Sequence, residues 1–312
     1  MSETMYKKKM SLTGVAAQII TIGLLFIFWR LGQKWVVVPA ALVLIFLFFF
    51  LPRVISRMEE KFHRKSLMLL ATGKASEVPA YASRQILLSL FGASAPIDAK
   101  LGLAFSQMGE YEAALECLNQ AIPFAPPSEM PALQAAYIKS LFVTGDPARA
   151  EAEGRQMLDK GGARLPEVLV IIARARLSLG KTGPETMSYI EEAESLSTSG
   201  DIALMVLLCR IELQLVHGKK ADDLPGDIDS AQPYLRVWIH LVRGKLREQR
   251  GKFKDALQSY AKAAELGKED RCWFAELART RLEALTKNNH TADTVQGQDL
   301  DDAVRRKKKR RR

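Results

Sequence analysis

Residues 98–126 read DAKLGLAFSQMGEYEAALECLNQAIPFAP, and the fold turns on how this stretch is read. Leu101 and Gly102 are followed one helical turn later by Phe105, so the three share a face. Gly109 stops that helix and Tyr111 stands in the turn. Ala114, Leu118 and Ala121 then recur at helical spacing until Pro126 ends the second helix. Gly102 and Ala114 lack bulk, so two backbones can approach closely there, while Phe105, Tyr111 and Leu118 fill the space around them. The stretch therefore predicts two antiparallel helices joined by a tight turn.

In register, this pattern of Leu-Gly, an aromatic three residues on, then Ala, a large apolar residue, Ala and Pro resembles the tetratricopeptide repeat (TPR). Asp98 stands where the family usually has Trp. The same register returns near the other end, where Gly244, Gly251, Phe253, Ala256, Tyr260 and Ala263 match it within residues 237–267. Between the two, 131–160 repeats the plan loosely through Tyr137, Leu141, Gly145, Ala150 and Met157, and 166–196 only faintly. Residues 53–75 and 77–91 read as a degenerate first pair, 201–217 as a solenoid helix, and 270–286 as a capping helix. The expected fold class is all-α, a TPR-like α-solenoid over 95–287 behind helices at 52–94.

Ahead of these helices stand a short basic segment, 1–10, and two apolar runs. LTGVAAQIITIGLLFIFW at 12–29 and WVVVPAALVLIFLFFFL at 35–51 are each near the lower length that spans a hydrocarbon core of about 30 Å. Residues 11–51 are thus expected to form a two-helix transmembrane hairpin. Lys7, Lys8 and Lys9 before it and Arg53, Arg57, Lys61, Arg64 and Lys65 after it place both ends and the repeats in the cytoplasm. Two runs followed by repeats is a layout that resembles HemY-type bacterial inner-membrane proteins, which implies an integral protein of the bacterial inner membrane.

The net charge of +10 is concentrated at the two ends. Residues 305–312 are all basic, and the body from 66 to 304 holds 27 basic against 32 acidic residues. A nucleic-acid-binding body is not indicated. The polar tail 288–312 is expected to be disordered. Its end, Arg305 to Arg312, reads either as a solvated polyelectrolyte, as a contact for anionic lipid, or as a contact for RNA. Cys117, Cys209 and Cys272 are too scattered for a disulfide framework.

No catalytic, cofactor or metal motif appears. His63, His217, His240 and His290 lack metal-ligand spacing to one another or to the cysteines, and no glycine-rich phosphate loop or nucleophile elbow is present. The resemblance implies a non-enzymatic scaffold that binds a protein or peptide. An enzyme, or a regulatory subunit of one, with a site assembled only in the fold, is the alternative. In the family the first helix of each unit lines a concave face, with the residue after Leu-Gly pointing into it. Carried along the array, that register implies Leu103, Lys139, Arg174, Glu212 and Lys245 as groove residues. Lys139 and Arg174 on neighbouring repeats suggest an acidic partner segment.

Overall fold

The computed structural model describes residues 50–287 apart from 198–199, 222–223, 225–230 and 271, together with the single positions 23, 26 and 30; residues 269 and 270 are described by backbone alone. Every regular element among them is helical. The chain divides into two compact units, one up to Ser140 and one from Leu141.

The first unit opens with α1, Leu51–Ala71. Pro52 sits in its first turn, where a missing N–H leaves no helical bond unmade. Ile55, Phe62, Ser66, Leu69 and Leu70 are its buried face. The expected partner over 77–91 is broken in two, α2 at Glu77–Ser83 and α3 at Ile86–Phe91, with Arg84 and Gln85 between them outside helix. Leu88 of α3 turns inward to join Ile55, Phe62 and Ala82. Phe62 also stacks on Tyr81, with ring centroids 5.6 Å apart.

The deciding stretch forms α4, Ser94–Met108, and α5, Tyr111–Ala121, followed by a 3-10 turn at Ile122–Phe124. Gly109 has φ +86, and the N–H of Glu110 closes on the carbonyl of Phe105 at 2.9 Å. Such a left-handed helix end is strained for any residue with a Cβ. Gly102 meets α5 directly: a Cβ there would lie 2.6 Å from Leu118 Cγ. Ala114, Leu118 and Ala121 are fully buried and Tyr111 nearly so, while Leu101 and Phe105 are half-buried. The unit continues into α6, Met130–Val143, whose last three residues belong to the second unit.

The second unit runs through α7 (Pro147–Asp159), α8 (Pro166–Ser178), α9 (Pro184–Leu196), α10 (Gly200–Val216), α11 (Pro233–Gln249), α12 (Phe253–Asp270) and α13 (273–287). Proline opens four of these helices, and Asp146 caps α7 by accepting the Arg149 N–H at 3.0 Å. α8 is the central member: α7, α9 and α10 all pack on it, and every residue from Val168 to Leu177 is buried. α11 and α12 repeat the plan of α4 and α5. Gly251 has φ +71, and a Cβ on Gly244 would meet the Tyr260 ring at 2.4 Å, at the same sequence separation as Gly102 and Leu118. Ala256, Tyr260 and Ala263 are fully buried, but Phe253 departs from its expected packing position and is 47% exposed.

Among the described residues no helix is long and apolar enough to cross a membrane. This overturns the expected integral placement in the bacterial inner membrane. α10, expected as a solenoid helix, carries Arg210 and the ion-paired Glu212 and packs against protein. The runs at 12–29 and 35–51 on which the membrane expectation rested lie outside the described residues, save for Gly23 and Phe26 of the first and Phe50 and Leu51 of the second. So does the basic end Arg305 to Arg312 with its lipid reading.

Candidate ligand groove

α8 and α10 each turn one charged side chain, Arg174 and Glu212, to a common face of the second unit, and α11 turns two, Lys245 and Glu248. α13 supplies the facing wall with Trp273, Leu277, Thr280, Arg281 and Ala284, a set at helical spacing. Between them lies a cavity of about 770 Å³. Its apolar lining adds Leu177, Leu215 and Leu241, with the exposed Val216 and Phe253 also on it. Lys245 and Arg281 are the cations that keep contact with solvent.

Glu212 is the hub. Its carboxylate accepts from Lys245 Nζ at 2.6 Å and from Trp238 Nε1 at 3.0 Å. Arg174 Nε lies 2.5 Å from the same group, though outside directed N–H geometry, so that contact is a charge contact. Burial pushes the Glu212 carboxyl upward; the Arg174 and Lys245 charges and the two hydrogen bonds outweigh it and hold the group below the ordinary carboxylate range. Glu212 is therefore ionised, and the buried Arg174 has the counter-charge it needs.

An aromatic cluster fixes Arg174 from the other side. Its guanidinium lies 5.6 Å from the ring centroids of both Trp238 and Phe274, within cation–π range. Trp238 and Phe274 stack in parallel at 5.3 Å, and Phe142 meets Phe274 edge-on at 5.5 Å. The start of α13 is thereby tied to the end of α6 and to α11. Its later part is tied by Arg281 to Glu248, which also accepts from Tyr260 Oη at 2.8 Å.

Arg176, two residues after Arg174, faces the opposite way because two helical steps rotate a side chain by about 200°. It binds Glu151 of α7 at 2.9 Å and Glu185 of α9 at 2.7 Å, and Lys181 joins Glu151 at 2.6 Å. Burial pushes Glu151 up and the Lys181 and Arg176 partners more than reverse it, so this carboxylate too is held low. The Arg176 network clamps helices together with its groups turned away from the cavity, whereas the Arg174 network forms part of the cavity's lining.

Three of the five groove residues implied by register, Arg174, Glu212 and Lys245, thus line one cavity. Leu103 and Lys139 belong to the first unit. Leu103 is half-buried against Leu69, Leu70, Ala75, Val78 and Ala104, and Lys139 is buried. Trp238, Glu248 and the whole α13 wall escaped the sequence reading. The one available signal was the stripe at 273, 277, 280, 281 and 284, which reads equally as an ordinary amphipathic cap.

No group of three or more His, Cys, Asp or Glu side chains among the described residues is placed to hold a metal ion. Burial pushes the half-buried Cys117 thiol up to about 11, with Asp98 and Glu116 adding to it, the reverse of an activated nucleophile.

A family model described as tetratricopeptide repeat matches residues 99–126, the pair α4 and α5. Repeats of this kind are typically non-catalytic protein-binding modules. The match covers the repeat alone and lends nothing to a HemY-type layout. No curated protein and no solved structure matches the chain.

Proposed function

We propose that this chain is a protein-interaction scaffold whose second unit receives a short segment of a partner protein in the cavity walled by α8, α10, α11 and α13. The observation that carries the reading is the cavity itself: about 770 Å³, apolar for the most part, with Arg174, Glu212 and Lys245 converging on it. That volume falls in the range of about 300–1,000 Å³ typical of sites that enclose a compact ligand, too small for a folded domain. Leu177, Leu215, Leu241 and Leu277 offer the apolar contact, and the half-exposed Lys245 and Arg281 offer charge at the opening. Because Arg174 and Glu212 are already paired, their part is to hold the groove walls in register.

Site-specific photo-crosslinking tests this. A photoreactive residue at Val216 or at Thr280 on the cavity should trap one and the same partner in cells. The same residue at Lys160, exposed at the end of α7, should not. Equal trapping from Lys160, or none from Val216 and Thr280, removes the cavity as the binding site.

A further inference from the structure

The chain's own continuation leaves from the edge of the cavity. Ala284, the last wall residue of α13, stands three residues before that helix ends at 287. Residues 288–312 follow it and lie outside the described residues. Their sequence falls into two parts of opposite charge. Residues 288–304, NNHTADTVQGQDLDDAV, hold Asp293, Asp299, Asp301 and Asp302 and no Lys or Arg. The end of that part, DLDDAV at 299–304, sets three of these aspartates among Leu300, Ala303 and Val304. From Arg305 to Arg312 every residue is basic.

The cavity complements the first part. Arg174 and Lys245 share one carboxylate, that of Glu212, and Arg281 pairs with Glu248, so the charged lining is three cations against two carboxylates. The surplus falls to Lys245, which is 38% exposed, because Arg174 is buried on Glu212. Leu177, Leu215, Leu241 and Leu277 supply apolar contact beside it. A segment with acidic and branched aliphatic side chains interleaved meets both features. The same cations repel a run of Lys and Arg, so Arg305 marks the limit of what can enter.

We infer that residues 299–304 of the same chain seat in this cavity when no partner is bound, with Leu300 and Val304 toward its leucines and the aspartates toward Lys245 and Arg281. The inference rests on the cavity being the partner site and makes the tail a competitor for it. Residues 288–298 are the tether. A flexible chain of that length has a root-mean-square span of about 17–20 Å. The eleven helical steps from Trp273 to Ala284 cover about 17 Å of wall. A tether whose span matches the distance holds its segment at an effective concentration in the millimolar range, so even a weak contact is filled.

The test uses the purified full chain with a photoreactive residue at Leu300, irradiated together with a differently tagged copy that lacks it. The crosslink should form within one chain and map to the cavity lining, at Val216, Lys245 or Leu277. Asp299→Asn, Asp301→Asn and Asp302→Asn together disturb no described contact and should lower its yield about fivefold or more. Proximity through the tether alone would leave the yield unchanged. In cells, the same three substitutions should raise partner trapping from a photoreactive residue at Val216 about threefold or more, because an occupied site lowers apparent affinity by the fraction left open. Crosslinks scattered over the surface, a yield indifferent to the three asparagines, or a link to the other copy overturns the inference. So does trapping from Val216 that the substitutions leave unchanged, and in that case the scaffold reading stands. A tail crosslinked in the cavity, with no partner trapped from Val216 even in the substituted chain, supports the seating of the tail and removes the partner reading instead.

Discussion

Replacing Glu212 by leucine should strip Arg174 of the only close counter-charge it has among the described residues, while leaving Arg174 3% exposed beside Trp238, Phe274 and Ser178. Breaking one side of a buried pair costs about 3–5 kcal/mol, most of it the penalty of an uncompensated charge. Lys245 adds little to that figure, since its side chain is 38% exposed and can turn to water. For a unit of this size the loss corresponds to a Tm lower by roughly 6–20 °C. Replacing both partners, Arg174→Met with Glu212→Leu, removes the uncompensated charge and should recover most of the loss. The pH dependence has a definite sign. Glu212 is held below its ordinary value of 4.5, so its stabilisation is fully present above 4.5 and is lost as pH falls through the lower folded-state value. Thermal melts followed by circular dichroism from pH 7 to pH 3 measure both effects, and the double variant should show a flatter acid limb. If Glu212→Leu melts like the wild type, or the double variant melts as low as the single, the buried triad does not hold the groove walls.

At the helix pair of the deciding stretch, Gly102→Leu and Ala114→Trp should each destabilise by about 1–3 kcal/mol through overpacking, since even a Cβ at 102 lies 2.6 Å from Leu118 Cγ. Unchanged melting of both would argue against close packing of α4 on α5. Gly109→Val should cost about 1–2 kcal/mol through backbone alone, because φ is +86 and nothing lies within 4 Å of the added Cβ; Gly109→Asn should cost less, and equal losses would mean that a steric contact is responsible. Alkylation of Cys117 by maleimide should run slower than that of a free cysteine at pH 7 and quicken about tenfold per pH unit toward 11, and a fast reaction at neutral pH would contradict the protonated thiol.

What the amino-acid order determined was local: where helices run, where they turn, and which small residues let them touch. Gly102 with Leu118, Gly244 with Tyr260, and the left-handed ends at Gly109 and Gly251 follow from periodicity and backbone sterics, which act within a few turns of chain. The register of one good unit also carried Arg174, Glu212 and Lys245 to the same face, because stacked first helices repeat their orientation. Tertiary packing decided the rest. Arg174 and Arg176 are alike in sequence, yet one meets Glu212 beside a cavity and the other meets Glu151 and Glu185 between helices. Phe253 kept its register but lies exposed beside that cavity, and α13 became a groove wall by setting Phe274 between Trp238 and Phe142. Each of these outcomes depends on partners distant along the chain, and helical spacing gives a side chain its direction without saying which helix, or what open space, stands there to meet it.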